Sequence, residues 1–172
     1  MKTLVKTLFL STIVVLFAFK AQSQESDNGK KLWAKSILNQ SAPKLDVEKW
    51  LTKKPDTKGK FVIIDFWATW CGPCRRFIPT LNDISIKHKD NLVVIGISDE
   101  PAETVESMQG VKPFYYEAID TRKRMSDALE IKGIPHVILI DPNGIVRWEG
   151  FPLLDKYEFT DSVVTALMEK YK

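Results

Sequence analysis

Residues 61–79 read FVIIDFWATWCGPCRRFIP, and this stretch decides the fold. Its first seven residues are apolar except Asp65, a continuous run of the kind that marks a strand buried on both faces. Its second half holds the only two cysteines of the chain, Cys71 and Cys74. Beyond them Phe77, Leu81 and Ile84 recur at helical spacing, so the pattern predicts a helix from near Cys71 to about His88. Strand, C-x-x-C and helix follow one another directly.

That order puts Cys71 at a helix N-terminus, where unsatisfied N–H groups and the helix dipole favour an anion. A thiolate is such an anion, and it is the nucleophile of disulfide exchange. Cys74, one turn on, is close enough to resolve a mixed disulfide formed at Cys71. Gly72 keeps the approach to the sulfurs open, and Pro73 sits in the first turn, where its missing N–H does no harm. Two other uses of the pair compete. A disulfide stabilises more as the loop it closes lengthens, so a staple over so short a loop gains little. Structural zinc takes about four ligands, and only His88 and His136 remain, far apart in sequence. No metal is expected.

Working outward, residues 92–98 (LVVIGIS) read as a second buried strand, and residues 101–110 (PAETVESMQG) as a short helix with proline near its start and glycine at its end. Residues 114–119 (FYYEAI) read as a strand and residues 121–129 as a helix. HVILI and IVRWEG form a hairpin about DPNG, residues 141–144. A final helix is expected over about residues 156–171, burying Phe159, Val163, Val164, Leu167 and Met168. Upstream, residues 32–38 have weak helical spacing, residues 42–51 lead in, and Pro55 and Gly59 break a turn-rich loop. Strands alternating with helices, closed by a hairpin and a helix, argue for an α/β fold: a central mixed β-sheet flanked by helices on both faces.

The chain has 172 residues, enough for one domain with a substantial core. Its start reads as export machinery. Lys2 and Lys6 precede an apolar run over residues 7–19, and Ala21 and Ser23 are the small residues of a cleavage site. The expected organisation is a signal peptide over residues 1–23, a linker or N-terminal extension over 24–41 and the folded domain over 42–172. The run is short of the roughly 20 residues a membrane span needs; an uncleaved anchor is the alternative. The formal charge is +3, but residues 1–23 carry Lys2, Lys6 and Lys20 and no acid; without them 22 of the 25 basic residues face 22 acidic ones. A formally neutral mature chain makes no case for nucleic acid. The location expected is the periplasm or another extracytoplasmic space.

FVIIDFWATWCGPCRRFIP, GIPHVILIDPNGIV and the terminal amphipathic helix together resemble the thioredoxin superfamily, over residues 42–172. The export signal and the long segment between residues 99 and 133 resemble its extracytoplasmic TlpA/ResA-like branch, with the extra strand and helix as that branch's insertion. The resemblance implies a redox-active Cys71–Cys74 disulfide with no cofactor, Cys71 attacking and Cys74 resolving. It implies that Asp65 is the buried aspartate that serves the second cysteine. An acid in an apolar strand should have a raised pKa, which suits it to exchange protons near neutrality; a strand-edge acid facing water is the other reading. Pro135 matches the family's cis-proline beside the cysteines, leaving the Ile134 backbone to pair with an extended substrate. Trp70, Gly72 and Pro73 then join Ile134 and Pro135 as substrate-contacting residues. Trp67 is expected to pack beneath the site and Pro79 to kink the helix. His136 titrates in a range suited to proton handling, against the alternative that it is merely packed; His88 reads as structural.

Two departures from the family pattern bear on the substrate. Thioredoxins often carry a lysine near the buried aspartate, and the matching strand around Ile95 and Gly96 has none. Members dedicated to cytochrome c maturation often have a glutamate where this chain has Phe77. The resemblance therefore implies a secreted thiol–disulfide oxidoreductase, a reductase of protein disulfides, supplied with electrons by a membrane thiol donor. Oxidase, isomerase and apocytochrome c reductase roles are the nearest alternatives, and a thiol peroxidase or a non-catalytic binding module the more distant ones.

Overall fold

The computed structural model describes residues 30–172; the expected signal peptide and residues 24–29 of the expected linker lie outside the described residues. Six strands form one mixed sheet: β1 (Lys49–Trp50), β2 (Phe61–Trp67), β3 (Leu92–Ser98), β4 (Tyr116–Ile119), β5 (His136–Ile140) and β6 (Val146–Gly150). Their order across the sheet is β1-β4-β3-β2-β5-β6. The two apolar runs, β2 and β3, lie side by side and parallel at the centre, buried along their whole length. β4 continues the parallel half beyond β3, whereas β5 and β6 return antiparallel on the other side. This is the mixed-sheet α/β architecture that the pattern implies, arranged as the resemblance to thioredoxins leads one to expect, with β4 inserted between β3 and β5 in sequence.

Alternation along β2 splits the core in two. Phe61 and Ile63 face helix α1 (Gly72–Lys87) and helix α4 (Asp161–Lys170), in a cluster with Phe77, Leu81, Ile84, Phe159, Val164 and Met168. Val62, Ile64 and Phe66 face the other way, onto Met125 of helix α3 (Arg124–Ala128) and Leu129. A third cluster, at the end of the sheet where β2 passes into α1, joins Trp67, Cys71, Cys74 and Ile78 to Ala102 and Val105 of the short helix α2 (Ala102–Glu106). His88 closes α1 and meets Asp161 at the start of α4 at 2.8 Å, so the ends of the two helices are pinned together. The DPNG turn closes through Gly144 in the left-handed region (φ +80°), with Asp141 accepting from the Asn143 and Ile145 N–H groups and from Arg147.

Four expectations need correction. The weak helical spacing of residues 32–38 does not produce a helix. Their backbone bonds outward instead: Lys35 N–H to Leu129, Asn39 N–H to Val146, and Trp33 C=O from Lys132. Residues 42–51 end in a short strand, β1, which the lead-in pattern did not announce. α3 is shorter than residues 121–129, because Lys123 is left-handed (φ 57°) and the Asp120 carboxylate takes the Met125 N–H. α4 starts at Asp161 rather than near residue 156, because Lys156 is left-handed (φ 68°) and Thr160 caps the helix through the Val163 N–H. Phe159 is buried all the same, with its ring 4.4 Å from Trp148.

Candidate active site

β2 delivers the chain to the site, and a two-residue turn after Ala68 hands it to α1. Cys71 is the N-cap of α1 and is joined to Cys74 by a disulfide. Its sulfur also accepts the Cys74 N–H at 3.2 Å, so one of the helix's orphan donors already points at it. No acid occupies the first turn of α1, while Arg75 and Arg76 follow directly. Backbone N–H and helix dipole both favour a thiolate at Cys71 over a thiol. Both cysteines are buried, Cys74 completely. Gly72 is exposed and Pro73 half-buried, so the turn between the sulfurs is their solvent side.

The flanking residues separate by environment. Trp67 is buried beneath the cysteines, whereas Trp70 is 72% exposed beside them. The Ile134–Pro135 peptide is cis, and Ile134 packs against the cluster that contains both sulfurs. Trp70 and Ile134 line a cleft of about 480 Å³ together with Phe66, Ile97, Lys123 and Asp127. Of the residues singled out from the sequence, Trp70 and Ile134 share this cleft, Gly72 and Pro73 form the turn between the sulfurs, and Pro135 follows Ile134 through the cis bond.

Asp65 lies within β2, four residues before the turn that leads to Cys71. Its side chain shares the α1 face of the sheet with Ile63 and is 1% exposed. Among the described residues Oδ1 has no hydrogen-bond partner, and Oδ2 meets the Tyr115 hydroxyl at a long 3.5 Å. Burial lifts its carboxyl from 3.8 to about 7, against a smaller lowering by the Tyr115 hydrogen bond. His136 pairs in register with Phe66, on the opposite face of the sheet, and burial, with help from Lys30, drops it to about 4. It is therefore a neutral, packed side chain through the neutral pH range and stands apart from the sulfurs. Phe77 is core and packs on Phe159.

Three side chains at the site had not been singled out. Glu100 clamps the turn before Cys71: its carboxylate accepts from the Thr69 N–H at 2.6 Å and the Thr69 hydroxyl at 2.7 Å. Tyr115 supplies the hydroxyl at Asp65. Glu117 follows on the same face of β4, its carboxyl lifted from 4.5 to about 7 by burial. One sequence signal existed for Tyr115. Gly96 interrupts an otherwise apolar strand, and a glycine there marks close approach by another group.

Comparison with known proteins agrees with this geometry. The family described as thioredoxin-like matches residues 59–146, about half of the chain. Thioredoxin-like protein YneN of Bacillus subtilis is 26% identical over 96 residues, 54% of this chain and 56% of that protein. Thiol-disulfide oxidoreductase ResA of Geobacillus kaustophilus is 32% identical over 95 residues, 54% of this chain and 55% of that protein. Among solved structures, a candidate protein disulfide isomerase from Bacteroides thetaiotaomicron superposes with a TM-score of 0.64 at 27% identity. That superposition covers 82% of this chain and 91% of that one. The chain spans about half the length, or less, of the curated relatives it matches.

Proposed function

The chain belongs to the thioredoxin-like family, and on that premise we propose that it is a thiol–disulfide oxidoreductase that reduces protein disulfides. One observation carries the proposal: Cys71 caps α1, its sulfur takes a helix N–H, and Cys74 is bonded to it from one turn inside. In the reduced dithiol, the Cys71 thiolate attacks one sulfur of a substrate disulfide and expels the other as a thiolate. The mixed disulfide is then resolved by Cys74. Asp65 takes the Cys74 proton, the Cys74 sulfur attacks Cys71, and the second substrate sulfur leaves as a thiolate. The substrate gains two electrons and the Cys71–Cys74 bond re-forms. An Asp65 carboxyl near 7 is half ionised at neutral pH, which suits it both to accept that proton and to return it.

Trp70, Ile134 and the cleft between them supply the contact surface, with Gly72 and Pro73 leaving the sulfurs approachable and the cis Pro135 beside them. The substrate is an extended protein segment carrying a disulfide, paired along the Ile134 backbone. No cofactor enters this cycle. Among the described residues there is no cluster of three or more His, Cys, Asp or Glu side chains suited to a metal. Residues 1–23 direct export, and a membrane thiol carrier returns the two electrons. Among the described residues no helix is long and apolar enough to cross a membrane. The Gly-Pro dipeptide between the cysteines resembles that of thioredoxin, whose potential is about −270 mV. The reduction potential of the Cys71–Cys74 pair tests the direction: a value close to thioredoxin's is expected, and one near about −120 mV would assign an oxidant instead.

A further inference from the structure

Asp65 is paired in register with Gly96 of β3, and Gly96 with Glu117 of β4, so the three positions form one row across the α1 face of the sheet. Gly96 contributes no side chain to that row. A Cβ placed there would stand 2.9 Å from Trp67 Nε1 and 3.0 Å from the Tyr115 ring, inside contact distance of both. The Tyr115 ring therefore lies over the glycine and carries its hydroxyl to Asp65 Oδ2, while the rest of the ring is buried in the α1-side core.

We propose that Tyr115 is a positioning residue for the reaction: reaching across Gly96, its hydroxyl donates to the Asp65 carboxylate and sets that group's proton affinity. The proposal rests on the role given to Asp65 above. The surroundings leave few other groups to do this. Asp65 pairs with Val137 of β5, and the buried side chains of its face of the sheet include Phe77 and Leu81 of α1 and Val164 and Met168 of α4, with the cysteine pair in the adjoining cluster, all apolar or sulfur. From β4 the charged neighbour is Glu117, with Glu106 and Lys112 beside it. Tyr115 itself stays a phenol, because burial first, then the Asp65 and Glu117 charges, hold its ionisation well above the ordinary value. A neutral phenol can only donate to a carboxylate, and donation favours the ionised form. The hydroxyl thus works against burial and keeps Asp65 able to ionise.

The test replaces the hydroxyl and keeps the ring. Tyr115→Phe should move the Asp65 midpoint upward, by about one pH unit for a hydrogen bond to a charged group. Two readouts on the full-length protein follow it. The carboxylic-acid carbonyl stretch, in infrared difference against Asp65→Asn over pH 5–9, reports Asp65 directly. The second, concentration-independent release of thionitrobenzoate from 5,5′-dithiobis(2-nitrobenzoate) reports resolution by Cys74. At pH 7 a one-unit rise cuts the ionised fraction from about a half to about a tenth, so that phase should slow about fivefold. Wild type and variant should converge in alkali. Gly96→Ala, whose methyl group crowds both the Tyr115 ring and the Trp67 indole, should move the infrared midpoint the same way. An unmoved infrared midpoint in Tyr115→Phe overturns the proposal, as does any shift of the release profile by Tyr115→Phe within Asp65→Asn. A moved infrared midpoint with an unmoved release profile sustains the Tyr115–Asp65 pairing and instead removes Asp65 from the resolving step.

Discussion

Replacing Asp65 by asparagine should stabilise the oxidised protein more at alkaline than at acidic pH, by an amount the structure sets. Burial lifts the Asp65 carboxyl from 3.8 to about 7. In the unfolded chain it ionises near the lower value. Between the two, the folded protein therefore holds a proton that the unfolded chain has lost, and folding is penalised as pH rises. The stability linked to this group is fully present below the unfolded pKa and is lost as pH climbs through about 7. Across that window each pH unit is worth about 1.4 kcal/mol, tapering at both ends. Between pH 5 and pH 8 the loss comes to about 2.5 kcal/mol. Asparagine does not titrate. The stability of Asp65→Asn minus that of wild type should therefore rise by that amount over the interval, whatever its offset at pH 5. Glu117 and His136 titrate in both proteins and cancel in the difference. Urea unfolding of the two oxidised proteins at one-unit steps from pH 5 to pH 8 measures it. A difference that stays flat would refute the reasoning, because it would mean that Asp65 ionises alike in the folded and unfolded chains. A difference that falls would mean that the fold favours its charge.

His136 gives the opposite slope. Burial depresses it from 6.5 to about 4, so folding loses stability as pH falls through that window, by about 3 kcal/mol in all. His136→Gln should abolish this loss, measured by urea unfolding between pH 7 and pH 4. Removing the clamp on the turn before Cys71 by Glu100→Ala deletes two charge-assisted hydrogen bonds to Thr69, and thermal unfolding should show a loss of about 2 kcal/mol. Phe159→Ala should cost about 4 kcal/mol in urea unfolding, because it empties a fully buried site between Phe77 and Trp148.

What could be read from the sequence was what local pattern encodes. The central strands β2, β3 and β5 announce themselves as apolar runs, the DPNG turn by its residue types, and the cysteine pair by its place between a strand and a helix. The helix ends were less legible, since left-handed Lys123 and Lys156 and the Asp120 carboxylate shorten α3 and α4. β1 is too short to leave a periodic signal, and its partner β4 lies far along the chain. Residues 30–41 bond to residues 129–132 and to strand β6, both distant in sequence, which no local pattern in that segment records. Tyr115 illustrates the general reason. Asp65 stands out as an acid in an apolar strand, but which side chain meets it depends on the register of three strands and on the absence of a side chain at Gly96. Glu100 was hidden likewise, because its partner Thr69 belongs to another segment.

The central claim is that Cys71 attacks and Cys74 resolves. Reduced Cys74→Ser, incubated with a disulfide-containing protein such as insulin, tests it most directly. A stable mixed disulfide is expected, mapped by mass spectrometry to Cys71 and released by added thiol. A Cys74→Ser protein that forms no adduct, although its Cys71 thiol is free and the wild-type protein reduces the same substrate, would contradict it.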